Sequence, residues 1–345
     1  MDTQNHFYSH SAVLAEYCGL RRPRHMRGLL QHGWTLISPV SANFGDFPWV
    51  DGRGNRRLFV WSHESRAWDP AQEPSETVAL GAPWLYLHRL AGSPAPRGGD
   101  APTVVLPVHG TRVMRWQGDH ARLAQQVREQ EGSVLVSVHH EDLGDPDIVG
   151  GWRSAGHEVV SSGARQDVAF LPRQMSLFTS AGRVVSNRLS TAVLYAAALG
   201  IPVAVYGDPF TITGGDREAY EAVRERWPEF HGEQTDTAVT TQIARRELGA
   251  ASVRQPAELK ALLGWDHPVS LGAGADYWLR GPVEKALRVL GVRERVSGGQ
   301  GLEAGLGAGA WLRHPFEHLP SRLERTLPPV HPLPEPLRPG TTPGA

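Results

Sequence analysis

Between residues 103 and 206, short apolar runs rich in β-branched residues alternate with segments of helical period. That alternation confines the chain to an α/β fold built on a parallel sheet. The runs fall at 103–108 (TVVLPV), 133–138 (SVLVSV), 157–160, 183–185 and 202–206 (PVAVY). One helical segment begins at Asp119, a good N-cap, and places Leu123 and Val127 one turn apart; another covers 168–178; a third covers 190–199 and stops at Gly200. Five strands joined by helical crossovers predict a Rossmann-like, doubly wound sheet.

Upstream, three more apolar runs at 28–31, 58–61 and 77–80 each end in a turn or polar residue, which predicts a second, smaller set of strands. Residues 92–102 read GSPAPRGGDAP, offer no apolar face, and so read as a linker. The expected organisation is an N-terminal domain over 1–92, a linker over 93–102, a C-terminal domain over 103–325 and a disordered, mobile tail over 326–345. Proline dominates that tail, removing backbone donors and blocking helix.

A chain of 345 residues has room for two domains. No apolar run approaches the roughly 18 to 20 residues that cross a bilayer, and the start, MDTQNHFYSHSAV, lacks the basic and apolar regions of a secretory signal. The expectation is a cytoplasmic protein with no transmembrane segment, at most peripheral on a membrane. The single cysteine, Cys18, excludes an internal disulfide and a Cys-based zinc framework. Lys and Arg number 35 against 36 Asp and Glu, with no block of either sign, so no nucleic-acid partner is expected.

Ligands of open α/β sheets bind beyond the carboxyl ends of the strands, and the residues there are rich in His, Ser and Thr. Ser190 and Thr191 fall where a strand loop meets a helix N-terminus. Unpaired N–H groups and the positive end of the helix dipole favour an anion there, and two hydroxyls add donors for a phosphate. The plainer reading of Ser190 is an N-cap. Gly207 and Asp208, in the turn after residues 202–206, are further candidate phosphate contacts. His139 and His140 follow 133–138, and His109 follows 103–108; each is placed to donate to a phosphate oxygen, as a neutral imidazole or an imidazolium, or to be a surface histidine.

His32, in Gln31-His32-Gly33-Trp34, is the candidate general base, set beside a glycine that lets a substrate approach the backbone; the alternative is a core histidine bonded to a carbonyl. Trp34, Trp49, Trp61 and Trp84 offer stacking surface for a sugar ring or, more simply, packing. Asp145-Pro146-Asp147 matches an Asp-x-Asp metal motif but reads as a polar turn. No Gly-x-x-x-x-Gly-Lys-Ser/Thr, Gly-x-Gly-x-x-Gly after the first strand of the second half, or Gly-x-Ser-x-Gly is present, which removes P-loop, ordinary dinucleotide and α/β-hydrolase chemistry. The histidines lack ligand spacing for a metal.

Taken in order, His32-Gly33, Gly81-Ala82-Pro83, His109-Gly110-Thr111, His139 and Ser190-Thr191 with Gly200 and Pro202 resemble the bacterial GT-B transferases. Closest in layout are the CDP-glycerol glycerophosphotransferases and the bacterial sialyltransferases. In the former a His-Gly motif carries the base, while Lys-x-His-Pro and Asp-Tyr-Ser-Ser motifs hold the nucleotide phosphates. Here Ser137, His140, Arg188 and Trp34 stand where that family has lysine, proline, aspartate and threonine.

The resemblance implies an α/β, GT-B-like fold of two Rossmann-like, doubly wound domains facing a cleft. The N-terminal one is abbreviated, or completed by a returning C-terminal helix. It implies a bacterial enzyme of cell-envelope polysaccharide biosynthesis that needs no cofactor or metal. Such an enzyme moves a glycosyl or glycerophosphoryl group from a nucleotide-activated donor, by mild preference CMP- or CDP-linked, to a glycan or polyol-phosphate acceptor. His32 and His139 would be catalytic, and Ser190, Thr191, His109, His140, Gly207 and Asp208 would surround the nucleotide phosphates. A nucleotide-sugar epimerase of the same fold and a non-catalytic nucleotide- or glycan-binding protein are the alternatives.

Overall fold

The computed structural model describes residues 3–26, 28–35, 57–64, 77–110, 116–212, 216–267, 322–324 and 326–333, with isolated positions between 272 and 287. Helix α1 (His10–Tyr17) precedes a three-stranded parallel sheet of β1 (Gly28–Leu30), β2 (Arg57–Val60) and β3 (Thr77–Ala79), in that order. The outer edge of β1 is bracketed by one side chain. Asn5 Nδ2 donates to the Gly28 carbonyl at 2.9 Å and Asn5 Oδ1 accepts from Leu30 N at 2.8 Å, so an amide stands in for a neighbouring strand. Helix α2 (Pro83–Leu90) follows, with proline in its first turn, where a missing N–H breaks no bond.

The chain then runs through β4 (Thr103–Leu106), β5 (Trp116–Gln117), α3 (His120–Glu131), β6 (Leu135–Ser137), α4 (Pro146–Ser154), β7 (Glu158–Val160), α5 (Phe170–Thr179), β8 (Arg183–Ser186), α6 (Thr191–Ala198), β9 (Val203–Val205) and β10 (Thr211–Ile212). Five of these strands form a wholly parallel sheet in the order β7-β6-β4-β8-β9. The chain starts at the centre, winds to one edge and returns to build the other, so the strand order reverses between β4 and β8. That reversal opens a crevice at the carboxyl ends of the two strands. Every expected strand and helix of this half is present, Asp119 capping α3 by accepting from Arg122 N at 2.9 Å.

Helices α7 (Arg217–Arg226), α8 (Thr237–Glu247) and α9 (Pro256–Leu263) bring the chain back to the smaller sheet. Ala82 N donates to the Leu248 carbonyl at 2.8 Å, and Arg24 and Trp265 exchange side-chain bonds to each other's carbonyls at 3.0 Å. Gly249, at φ +72°, passes so close that a Cβ would sit 1.8 Å from the Trp61 carbonyl oxygen. One apolar cluster joins both sheets, running from Leu30, Phe59, Trp61 and Trp84 to Leu106, Val184, Tyr195 and Leu248. Trp61 and Trp84 are fully buried in it and are packing residues; Trp49 lies outside the described residues.

Two expectations are corrected. Asp145-Pro146-Asp147 is a helix start: Asp145 Oδ1 accepts from Asp147 N at 3.0 Å and caps α4. Gly150 and Gly151 hid this helix by their low propensity, yet Gly151 is what lets α3 approach, since a Cβ there would sit 3.1 Å from Ala121 N. The tail over 326–333 is docked: Leu333 N donates to the Val159 carbonyl at 2.7 Å and Arg153 donates to the Leu333 carbonyl at 3.0 Å. Proline blocks helix but leaves a neighbouring N–H able to pair with the open edge of β7. Residues 334–345 lie outside the described residues. No helix among the described residues is long and apolar enough to cross a membrane.

Candidate functional site

A cavity of about 300 Å³ lies in the crevice at the switch point, between the larger sheet and the His32-Gly33 loop of the smaller one. Its walls come from the segments after β4, β6 and β7 and from the first turns of α5 and α6. Five expected residues meet there: His32, His109, His139, Ser190 and Thr191. Tyr8, His10, Ser162, Gln174 and Tyr195 line it too, and no motif had marked them.

Ser190 holds an extended conformation (φ −142°, ψ 169°) at the start of α6, yet its side chain makes no capping bond. Plain capping therefore does not account for its hydroxyl. Thr191 Oγ1 accepts from Trp34 N at 2.9 Å, which ties the His32 loop directly to the helix N-terminus. Trp34 Nε1 donates to the buried Glu247 carboxylate at 3.0 Å, and the Trp34 ring meets Trp227 edge-on at 4.8 Å. Trp34 thus anchors the loop, and its ring is absent from the cavity wall.

His139 Nδ1 accepts from Glu141 N at 3.4 Å, which puts the proton of the neutral ring on Nε2. Nε2 is buried with no hydrogen-bond partner among the described residues, so an unsatisfied N–H sits on a ring that lines the cavity. The His109 ring stacks on it at 3.8 Å and 7°. Burial, then His109, His140 and Arg165, push His139 down to about 2. Burial, then Arg165, push His32 down to about 4, and burial, then His32, push His10 down to about 3. All three are pushed toward the neutral form at pH 7, which favours the neutral imidazole over the imidazolium at His139. The cavity wall contains no Asp, Glu, Lys or Arg. The positive charge felt by these rings is that of Arg165, which lowers His32 and His139 and whose guanidinium lies 4.9 Å from the Phe7 ring, while the first turn of α6 adds the positive end of a helix dipole.

Three expected phosphate contacts stand outside the cavity wall. His140 Nε2 lies 3.4 Å from Glu141 Oε1. Gly207 takes φ +90° in a turn, and Asp208 is used within it, its carboxylate accepting from Phe210 N at 2.9 Å and its carbonyl from Asn187 Nδ2 at 2.8 Å. Arg188 braces the same region through Asp216 at 2.6 Å and the Trp116 ring at 4.3 Å. Among the described residues no group of three or more His, Cys, Asp or Glu is placed to hold a metal ion.

Two signals for the missed residues were present. Tyr195 lies four positions after Thr191 and shares its helix face. Tyr8 and His10 belong to a run, NHFYSH, dense in polar aromatic residues.

No protein-family model matches the chain, and no curated protein sequence matches it. Among solved structures the chain is similar to UGT2 of Phytolacca americana, complexed with UDP-2-fluoro-glucose and pterostilbene, at 14% identity over 61% of this chain and 55% of that one, with a TM-score of 0.30. It is also similar to S. aureus MnaA in a co-structure with UDP (12% identity, 77% of this chain, 81% of that one, TM-score 0.33). A third is CalG4, the calicheamicin glycosyltransferase (16% identity, 73% and 57%, TM-score 0.27). The chain spans about half the length of the UGT2 structure.

Proposed function

We propose that this protein is a metal-independent transferase that moves a glycosyl or glycerophosphoryl group from a nucleotide-activated donor to a hydroxyl of a glycan or polyol-phosphate acceptor. One observation carries the reading. The Trp34 N to Thr191 Oγ1 bond joins the His32 loop to the N-terminus of α6, so a base and an anion site from different sheets face one cavity.

The nucleotide phosphate sits at the first turn of α6, where backbone N–H groups, the Ser190 hydroxyl and the His139 Nε2–H converge. The acceptor oxygen bonds to the transferred group as the bond between that group and the nucleotide's phosphate oxygen breaks. The electron pair leaves with the phosphate, and the hydroxyl proton passes to His32. A depressed pKa makes His32 a weak base when the cavity is empty. The negative charge of a bound donor phosphate offsets Arg165 and strengthens it, so proton transfer is coupled to donor binding.

The test is release of free nucleotide from CDP-, CMP-, UDP- and GDP-linked donors in EDTA, with and without acceptor. CDP and CMP donors head the panel because of the resemblance to the glycerophosphotransferases and sialyltransferases. Slow hydrolysis without acceptor and faster release with it are expected. Epimerised donor would instead identify an epimerase, and a strict need for Mg²⁺ or Mn²⁺ would overturn the metal-independent site.

A further inference from the structure

We propose that His10 and Tyr195 form the recognition face for the transferred group, and that this group is an uncharged, polyhydroxylated sugar. The inference rests on the proposed function and deepens it.

His10 and Tyr195 are 1% and 3% exposed, and both line the cavity. His10 Nδ1 and the Tyr195 hydroxyl are buried with no hydrogen-bond partner among the described residues, as is Ser162 Oγ on the same wall. A buried polar atom without a partner is destabilising, and several on residues lining one cavity mark where a ligand supplies the partners. Apolar surface surrounds them: Tyr195 stacks on Trp84 at 4.6 Å and 8°, and His10 meets Trp61 at 6.0 Å. Isolated polar atoms between aromatic faces suit a sugar, which presents hydroxyls at its rim and C–H bonds on its faces.

Backbone strain points to the same wall. Tyr8 (φ 53°) and Ser9 (φ 64°) are consecutive non-glycine residues in the left-handed region, immediately before His10. Such strain persists only where surrounding structure enforces it. Here three bonds do so: Tyr8 N to the Arg165 carbonyl at 2.6 Å, Ser9 Oγ to the Asp167 carbonyl at 3.1 Å, and Leu171 N to Ser9 Oγ at 3.2 Å. The kink turns Tyr8 and His10 into the cavity; Phe7, the residue before it, packs in the core.

The charge of the group follows from the wall. It has no Lys or Arg to pair with a carboxylate on the sugar, and its histidines are pushed toward the neutral form by burial. A carboxylated sugar would bury a further charge without a partner, whereas a neutral hexose would not.

The probes are UDP-glucose, GDP-mannose, dTDP-glucose and UDP-glucuronate, each titrated calorimetrically beside its parent nucleotide into wild type, Tyr195→Phe and His10→Phe. At least one neutral nucleotide sugar should bind wild type more tightly than its nucleotide, and UDP-glucuronate should gain nothing over UDP. Each variant should weaken the nucleotide sugar about three- to tenfold, one hydrogen bond's worth, with nucleotide affinity unchanged. Tyr195→Phe keeps the stack on Trp84 and removes only an unpaired hydroxyl, so its melting temperature should hold or rise. Nucleotide binding with no added affinity from any neutral sugar overturns this inference and leaves the proposed function standing; so does equal weakening of sugar and nucleotide. A wild-type protein that binds no nucleotide overturns both.

Discussion

Lowering the pH from 7 to 5 should destabilise the fold through the cavity histidines. A histidine held below its ordinary value of 6.5 stays neutral in the folded chain while the unfolded chain takes up a proton. Its contribution is therefore complete above pH 6.5 and falls as the pH drops toward the folded value, by about 1.4 kcal/mol for each pH unit. His10 is fully buried and held near 3, so at pH 5 it alone removes about 2 kcal/mol. His32, near 4, and His139, near 2, are half-buried, and solvent screening leaves about 1 kcal/mol each.

Asp142 has the opposite sign. Burial pushes it up to about 6, so it gains a proton in the folded state first and returns about 1 kcal/mol. These four groups together remove about 3 kcal/mol, a large fraction of ordinary stability, and the other histidines that burial holds low (His88, His109, His120, His140, His157 and His231) act in the same direction. Urea unfolding at pH 7, 6 and 5 measures it. His10→Phe, which keeps a ring against Trp61 and cannot be protonated, should lose about 2 kcal/mol less over the same range. Equal stability at pH 7 and 5, or the same loss in His10→Phe as in wild type, would refute the burial assigned to these rings.

The other consequences concern the two walls of the cavity. His32→Ala should reduce turnover by about 10² to 10⁴-fold with little change in nucleotide affinity, as expected for a base that touches the acceptor. His139→Ala should weaken nucleotide binding as well as turnover if its unpartnered Nε2–H binds the phosphate in the ground state as proposed; single-turnover kinetics with calorimetry separate the two. Thr191→Val removes the acceptor of Trp34 N and should lower stability by about 1 to 3 kcal/mol in urea unfolding, while Thr191→Ser should restore it.

Much of the larger sheet was legible because its signals are local. Runs such as TVVLPV and SVLVSV have the composition of buried strands, Asp119 and Ser190 begin helices, and Gly200 ends one with φ +83°. Placement beyond a strand end located His109, His139, Ser190 and Thr191 for the same reason. What escaped depends on tertiary context. Helix α4 holds two glycines that local propensity disfavours, and packing on Ala121 requires one of them, Gly151. The kink at Tyr8 and Ser9 is imposed by loop 165–171, nearly half the chain away, so no local pattern encodes it. Tyr195 sits in an apolar helix and reads as core until it is seen to line a cavity with its hydroxyl unpartnered among the described residues. The turn at Gly207 and Asp208 has the residues of a phosphate loop but uses its polar groups within itself.

Every step of the proposed reaction depends on a nucleotide phosphate bound at the N-terminus of α6. Calorimetric titration of wild type and Ser190→Ala with the tightest binder among CMP, CDP, UDP and GDP probes that binding. Because Ser190 makes no capping bond, the variant should keep its melting temperature. The predicted result is a loss of about 1 to 3 kcal/mol in nucleotide affinity at unchanged stability. Equal affinity in the two proteins, or a wild type that binds none of the four nucleotides, would contradict the account.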